Sequence, residues 1–181
     1  MTALIMTEPE LLVLGLVAEM PRHAYELHQE IERRGMREWT SIGFSSVYFL
    51  LDKLEKKRLV RSKAPKSVKA KKVFTVTAAG QKTLVAQTRA SLGAYRRISS
   101  SVLPGMLHWP FLTKEEALCA LTARAESVTA EQLRLGEVRA ERQPLPDFVE
   151  AVFDYALGQL RAEGMWIEQT LDYMKTKPWL E

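Results

Sequence analysis

Between Ser45 and Lys57 the chain sets two serines, a tyrosine, a phenylalanine and three lysines around the aliphatic residues Val47, Leu50, Leu51 and Leu54. Wound at 3.6 residues per turn, the four aliphatic side chains share one side of a helix. Ser45, Ser46, Phe49, Asp52, Lys53 and Lys56 share the other, with Tyr48 at its flank. Hydroxyl and ammonium groups arrayed this way make hydrogen bonds and ion pairs. The chemistry on offer is recognition, of a surface that carries acceptors and negative charge.

Charge along the chain points the same way. Residues 1–55 carry 9 acids and 5 bases, and residues 115–181 carry 13 acids and 7 bases. From Lys56 to Lys114 there are 14 Lys and Arg and no acid at all. A field so concentrated suits a polyanion such as nucleic acid, although a basic face is also simply well solvated. Leu59–Lys63 and Lys72–Val76 read as two short strands joined by a Pro-containing loop rich in lysine, with Lys66 and Lys69 at its tip and Lys71 beside it. Helix, strand, basic loop, strand is the layout of a winged-helix reader of double-stranded DNA.

Catalysis finds no support. His23, His28 and His108 have no metal-ligand spacing with Cys119 or with carboxylates, and neither GFSS nor AAGQ has the spacing of a phosphate loop. No metal, cofactor or catalytic residue is expected. A lone cysteine forms no intramolecular disulfide and suits a reducing cytoplasm; in its apolar helix Cys119 reads as a small buried hydrophobe. No apolar run approaches the roughly 20 residues that a membrane helix needs.

The remaining elements must position that surface. Thr7-Glu8-Pro9-Glu10 is a capping box opening an almost wholly apolar helix to Glu19, which Pro21 ends. A second helix spans Ala24 to Arg34 and stops at Gly35. Thr77 caps a helix extending to about Ser99. The stretch Val102–Leu112, apolar and broken by Pro104, Gly105 and Pro110, is expected to be packed against the rest of the chain or a second subunit. Thr113-Lys114-Glu115-Glu116 opens a helix to about Arg142, and Asp147-Phe148-Val149-Glu150 reads as a further capping box opening the last helix, to about Lys175. Val152, Ala156, Leu160, Ile167 and Leu171 lie on one seam of that helix and are candidate dimer-interface residues. The expected fold is mainly α: a winged helix-turn-helix with a two-stranded wing over residues 1–80, then a helical dimerisation domain over residues 81–181.

The segments LLVLGLVAEMPRHAYEL (11–27), SSVYFLLDKLEKKRLV (45–60) and KVFTVTAAGQ (72–81) resemble the PadR family of bacterial transcriptional regulators. The resemblance covers essentially the full length, with specific motifs only in the first 81 residues. It implies a homodimeric winged-helix repressor paired through its C-terminal helices; in several members a small aromatic or hydrophobic effector releases the DNA. Two positions depart from the family pattern, Ala24 and Arg58, where glycine is usual. A left-handed backbone at Arg58 costs on the order of 1 kcal/mol.

Under this reading Ser45, Ser46, Phe49 and Lys53 face base edges in the major groove and Lys56 a phosphate. Ser45 or Ser46 serves equally as an N-cap, and Phe49 meets either a thymine methyl or the wing. Tyr25 and Tyr48 match tyrosines that recur in the family; each donates to a phosphate or leaves its hydroxyl in water. Lys66, Lys69 and Lys71 suit phosphates, which position without specifying sequence. Trp109, Phe111, Met165 and Trp166 are candidates for an effector pocket, with plain dimer core as the competing role. The alternative function is a winged-helix protein-interaction module whose lysines serve an acidic partner.

Overall fold

A computed structural model describes residues 6–40, 42–43, 46–63, 71–95 and 100–179. The chain forms two compact units, residues 1–96 and 97–181.

In the first unit, helix α1 (Glu8–Glu19) opens with the predicted capping box: the Thr7 hydroxyl accepts from Glu10 N–H, and the Glu10 carboxylate accepts from Thr7 N–H at 2.8 Å. Val13, Leu14, Leu16 and Val17 are buried, as an apolar helix requires. Strand β1 (Arg22–His23) runs directly into helix α2 (Ala24–Arg33), whose Leu27 and Ile31 join the same core. The chain leaves α2 through Gly35 at φ 60°, a left-handed residue where glycine meets no Cβ penalty. Helix α3 (Ser46–Lys56) presses Val47, Leu50, Leu51 and Leu54 onto this core, and each such side chain contributes about 2 kcal/mol by leaving water.

Helix α3 ends in a Schellman motif. Leu59 N–H donates to Leu54 C=O (2.9 Å) and Arg58 N–H to Glu55 C=O (2.8 Å), which places Arg58 at φ 58°. The left-handed residue is thus present, without the glycine it favours. Strands β2 (Val60–Lys63) and β3 (Val73–Val76) pair antiparallel, with Val60 opposite Val76 and Lys63 opposite Val73. To this two-stranded wing β1 adds a third strand, in the order β1-β3-β2, because Arg22 and His23 pair with Phe74 and Val73. A strand of two residues carries no periodicity to read.

Thr77 caps helix α4 (Ala78–Gly93), its hydroxyl accepting from Gly80 N–H at 2.9 Å. A Cβ on Gly80 would stand 2.0 Å from the Leu59 carbonyl oxygen, so only glycine lets α4 pass this close to the hairpin. The helix ends at Gly93, short of Ser99, and Leu84 packs it onto the first core, although a boundary at residue 80 would separate it from that core.

The second unit contains a short helix α5 (Val102–Leu107), a 3-10 turn over Trp109–Phe111, and two long helices, α6 (Lys114–Glu141) and α7 (Asp147–Thr176). Cross-links show that α6 and α7 run antiparallel. Lys114 Nζ reaches the carbonyls of Lys175 and Lys177, the Arg124 guanidinium pairs with Glu163, and Arg139 Nε donates to Glu150 at 2.7 Å. Thr113 forms its capping box, but α7 begins at Asp147 after Pro146 with no side-chain cap. Glu150 serves Arg139 and Gln143 of the neighbouring segment instead. Within one chain the stretch 102–112 is largely exposed, with Phe111 at 87%, although its Trp109 packs against the α6–α7 core. Cys119 is exposed as well, on the outer side of α6. Among the described residues no helix is long and apolar enough to cross a membrane.

Candidate nucleic-acid interface

With its aliphatic side committed to the core, α3 turns Tyr48, Phe49, Asp52 and Lys56 outward, and Phe49 is 66% exposed. Among the described residues this large apolar ring in mid-helix enters no core. Ser46 is the first residue of the helix and half-buried, while Ser45 lies outside the described residues. Lys66 and Lys69 also lie outside them.

Lys53 has a partner within the chain. Its Nζ stands 3.2 Å from the carboxylate of Glu10, and Lys57 Nζ stands 2.7 Å from the same oxygen. Glu10 is fully buried beneath α3. Burial alone would raise its pKa, but hydrogen bonds from Lys57, Thr7 N–H and Lys53, together with the Lys57 charge, bring it down to about 2. This pair of lysines therefore ties α3 to α1. Lys57 is turned inward while Lys56, one residue and about 100° away around the helix, is exposed.

Tyr25, at the start of α2, is half-exposed, and Lys71 Nζ lies 4.9 Å over its ring, a cation–π contact that joins α2 to the base of the hairpin. Lys72 is engaged by Glu55 at 2.7 Å. Glu55 also accepts from Ser62, and the Lys72 and Ser62 hydrogen bonds hold its carboxyl below the usual range. Sequence reasoning missed Glu55 and Ser62 at the edge of this surface, and Glu10 and Lys57 beneath it. Glu55 had one signal, being the last acid before the acid-free stretch.

The four residues proposed for an effector pocket do not meet in one chain. Trp109 packs on Trp179 (ring centroids 5.7 Å apart) and, with Tyr173, Met174 and Lys177, frames a cleft of about 130 Å³. Met165 lines a separate open groove of about 580 Å³ with Gln132 and Arg161. Phe111 is exposed, and Trp166 packs against the α6–α7 core. Of the candidate interface residues, Ile167 is fully buried against α6, Leu160 and Leu171 are half-buried on the same core, Ala156 is half-buried, and Val152 is 38% exposed. Among the described residues no cluster of His, Cys, Asp or Glu could hold a metal ion.

A three-helix core, a hairpin wing and an outward-facing third helix define a winged helix-turn-helix protein with a separate antiparallel helical unit. Residues 13–86 match the Transcriptional regulator PadR-like family. The fold is similar to Bacillus subtilis PadR in complex with operator DNA, at TM-score 0.70 and 19% identity over 93% of this chain and 99% of that one. It is similar also to the same protein in complex with p-coumaric acid (TM-score 0.73, 20% identity, 92% and 98% covered). The PadR-like regulator BC1756 from Bacillus cereus gives TM-score 0.67 at 16% identity, with 94% and 100% covered. No curated protein matches the sequence.

Proposed function

We propose that this chain is a PadR-like regulator, a homodimeric repressor that inserts α3 into the major groove of a near-palindromic operator and is released by a small aromatic or hydrophobic effector. The observation that carries the reading is the outer face of α3, where Tyr48, Phe49 and Lys56 stand exposed beside a lysine-rich hairpin. An α-helix fits the major groove, an apolar ring suits a thymine methyl, and lysines at the rim suit phosphates. Tyr25 and Lys71, held together at the hairpin base, suit a phosphate next to the groove. The complex of B. subtilis PadR with operator DNA supports the assignment, and its complex with p-coumaric acid supports an effector of that kind.

Pairing is supported by the outer side of α7, where Phe148 (72% exposed), Tyr155 (67%) and Met165 (58%) form apolar surface that the α6–α7 core leaves uncovered. A two-fold dimer demands half-sites about one helical turn apart, or a multiple. The test is selection of bound sequences from random duplexes, followed by salt titration of the selected duplex against a scrambled one. The expected result is a palindromic consensus whose affinity falls steeply as salt rises. A monomer that is indifferent to duplex DNA in dilute buffer, yet binds an acidic protein, would overturn the proposal.

A further inference from the structure

At the junction of α3 with the hairpin one carboxylate holds three donors. Glu55 Oε1 accepts from the backbone N–H of Ser62 (2.9 Å) and from its hydroxyl (2.6 Å), while Oε2 accepts from Lys72 Nζ (2.7 Å). Ser62 lies on β2 opposite Phe74 of β3, and Lys72 immediately precedes β3. Lys72 is fixed from a second side, its Nζ lying 5.1 Å over the Phe74 ring. The last turn of α3 and both strands of the hairpin are therefore joined through a single side chain.

Resting on the DNA-binding reading above, the geometry points to Glu55 as a positioning residue that fixes the hairpin relative to α3 and so sets sequence discrimination rather than affinity. An acid at the edge of a phosphate-facing surface weakens binding to every duplex alike. Holding helix and hairpin in one relative orientation favours only those duplexes whose base edges and phosphates match it. By the same bond Lys72, despite its charge and its place beside the wing, is a strut and not a phosphate contact. The neighbouring Lys71 has a different part, lying over Tyr25.

The test compares the full-length wild type with Glu55→Gln and Ser62→Ala on the duplex the wild type selects and on a scrambled duplex, over a salt series, with thermal melts of each variant. Glu55→Gln removes the repelling charge and releases Lys72. Its affinity for the scrambled duplex should rise, its log–log salt slope should steepen by about 0.9, and its specificity ratio should fall about tenfold. Ser62→Ala leaves every charge in place, so the ratio should fall about threefold with the salt slope unchanged. A merely structural role would lower binding to both duplexes in parallel. That outcome, or an unchanged ratio in Glu55→Gln, overturns the inference; should Glu55→Gln fail to fold, an unchanged ratio in Ser62→Ala overturns it. Failure of the wild type to bind any duplex would overturn the DNA reading itself, and this inference with it.

Discussion

Replacing Glu10 by Gln isolates a fully buried carboxylate beneath α3. Glu10 lies 2.7 Å from Lys57 Nζ and 3.2 Å from Lys53 Nζ, and it is the N3 member of the capping box that starts α1. Burial pushes its pKa up, and the Lys57, Thr7 and Lys53 hydrogen bonds overcome that push, taking it from an ordinary 4.5 to about 2. That lowering corresponds to about 3 kcal/mol of stability. Because the folded value lies below the unfolded one, the contribution is complete above pH 4.5 and is lost as pH falls through about 2. Glutamine keeps the shape and one cap acceptor but leaves Lys57 without its counter-charge. Urea unfolding followed by circular dichroism should therefore find Glu10→Gln about 3 kcal/mol less stable than the wild type at neutral pH, and the gap should close between about pH 4.5 and pH 2. A gap that stays constant across that range would show that packing, not charge, holds α1 to α3, and would refute the reasoning.

Four further changes test separate links. Arg58→Gly relieves the left-handed backbone at the end of α3 and should stabilise the protein by about 1 kcal/mol, read as a higher unfolding midpoint. Gly80→Ala drives a Cβ to within 2.0 Å of the Leu59 carbonyl oxygen and should destabilise by about 3 kcal/mol or more in the same assay. On duplexes selected by the wild type, Phe49→Ala should relax preference at particular base pairs, whereas Lys56→Ala should weaken binding evenly and flatten the salt slope by about one phosphate. Equal loss on all sequences from Phe49→Ala would show that its ring does not read bases.

Several helices, in both units, were legible because they announce themselves locally. Thr7 with Glu10, Thr77 and Thr113 are caps whose partners lie three residues away, and all three form their bonds. The aliphatic residues of α3 recur at helical spacing, and the four named from the wheel are the four that are buried. What lay beyond reach was non-local. Strand β1 exists only because β3 passes beside Arg22 and His23, 50 residues on in the register of His23 with Val73. Asp147 and Glu150 have the types and spacing of a capping box, yet Arg139 of the preceding helix captures Glu150. The α7 seam was visible as a period, but a period does not say which partner fills it: Ile167 is consumed by α6, whereas Tyr155 and Met165, off the seam, are exposed.

Charge is where linear reading goes furthest astray, because a run of cations along the chain is not a field in space. Lys57 and Lys72 belong to the acid-free stretch, yet folding brings each to a carboxylate from outside it, Glu10 at a separation of 47 residues and Glu55 at 17. Lys53 shares Glu10. Each is thereby turned from a source of attraction for a polyanion into a tie between elements. Lys56 escapes this only because the helix turns it about 100° away from Lys57, toward solvent. Composition and charge patterning see two adjacent lysines of equal rank. The docking of α1 behind α3 makes one a counter-ion of the core and leaves the other on the face that bears Phe49, so any phosphate contact from this helix falls to Lys56 before Lys57.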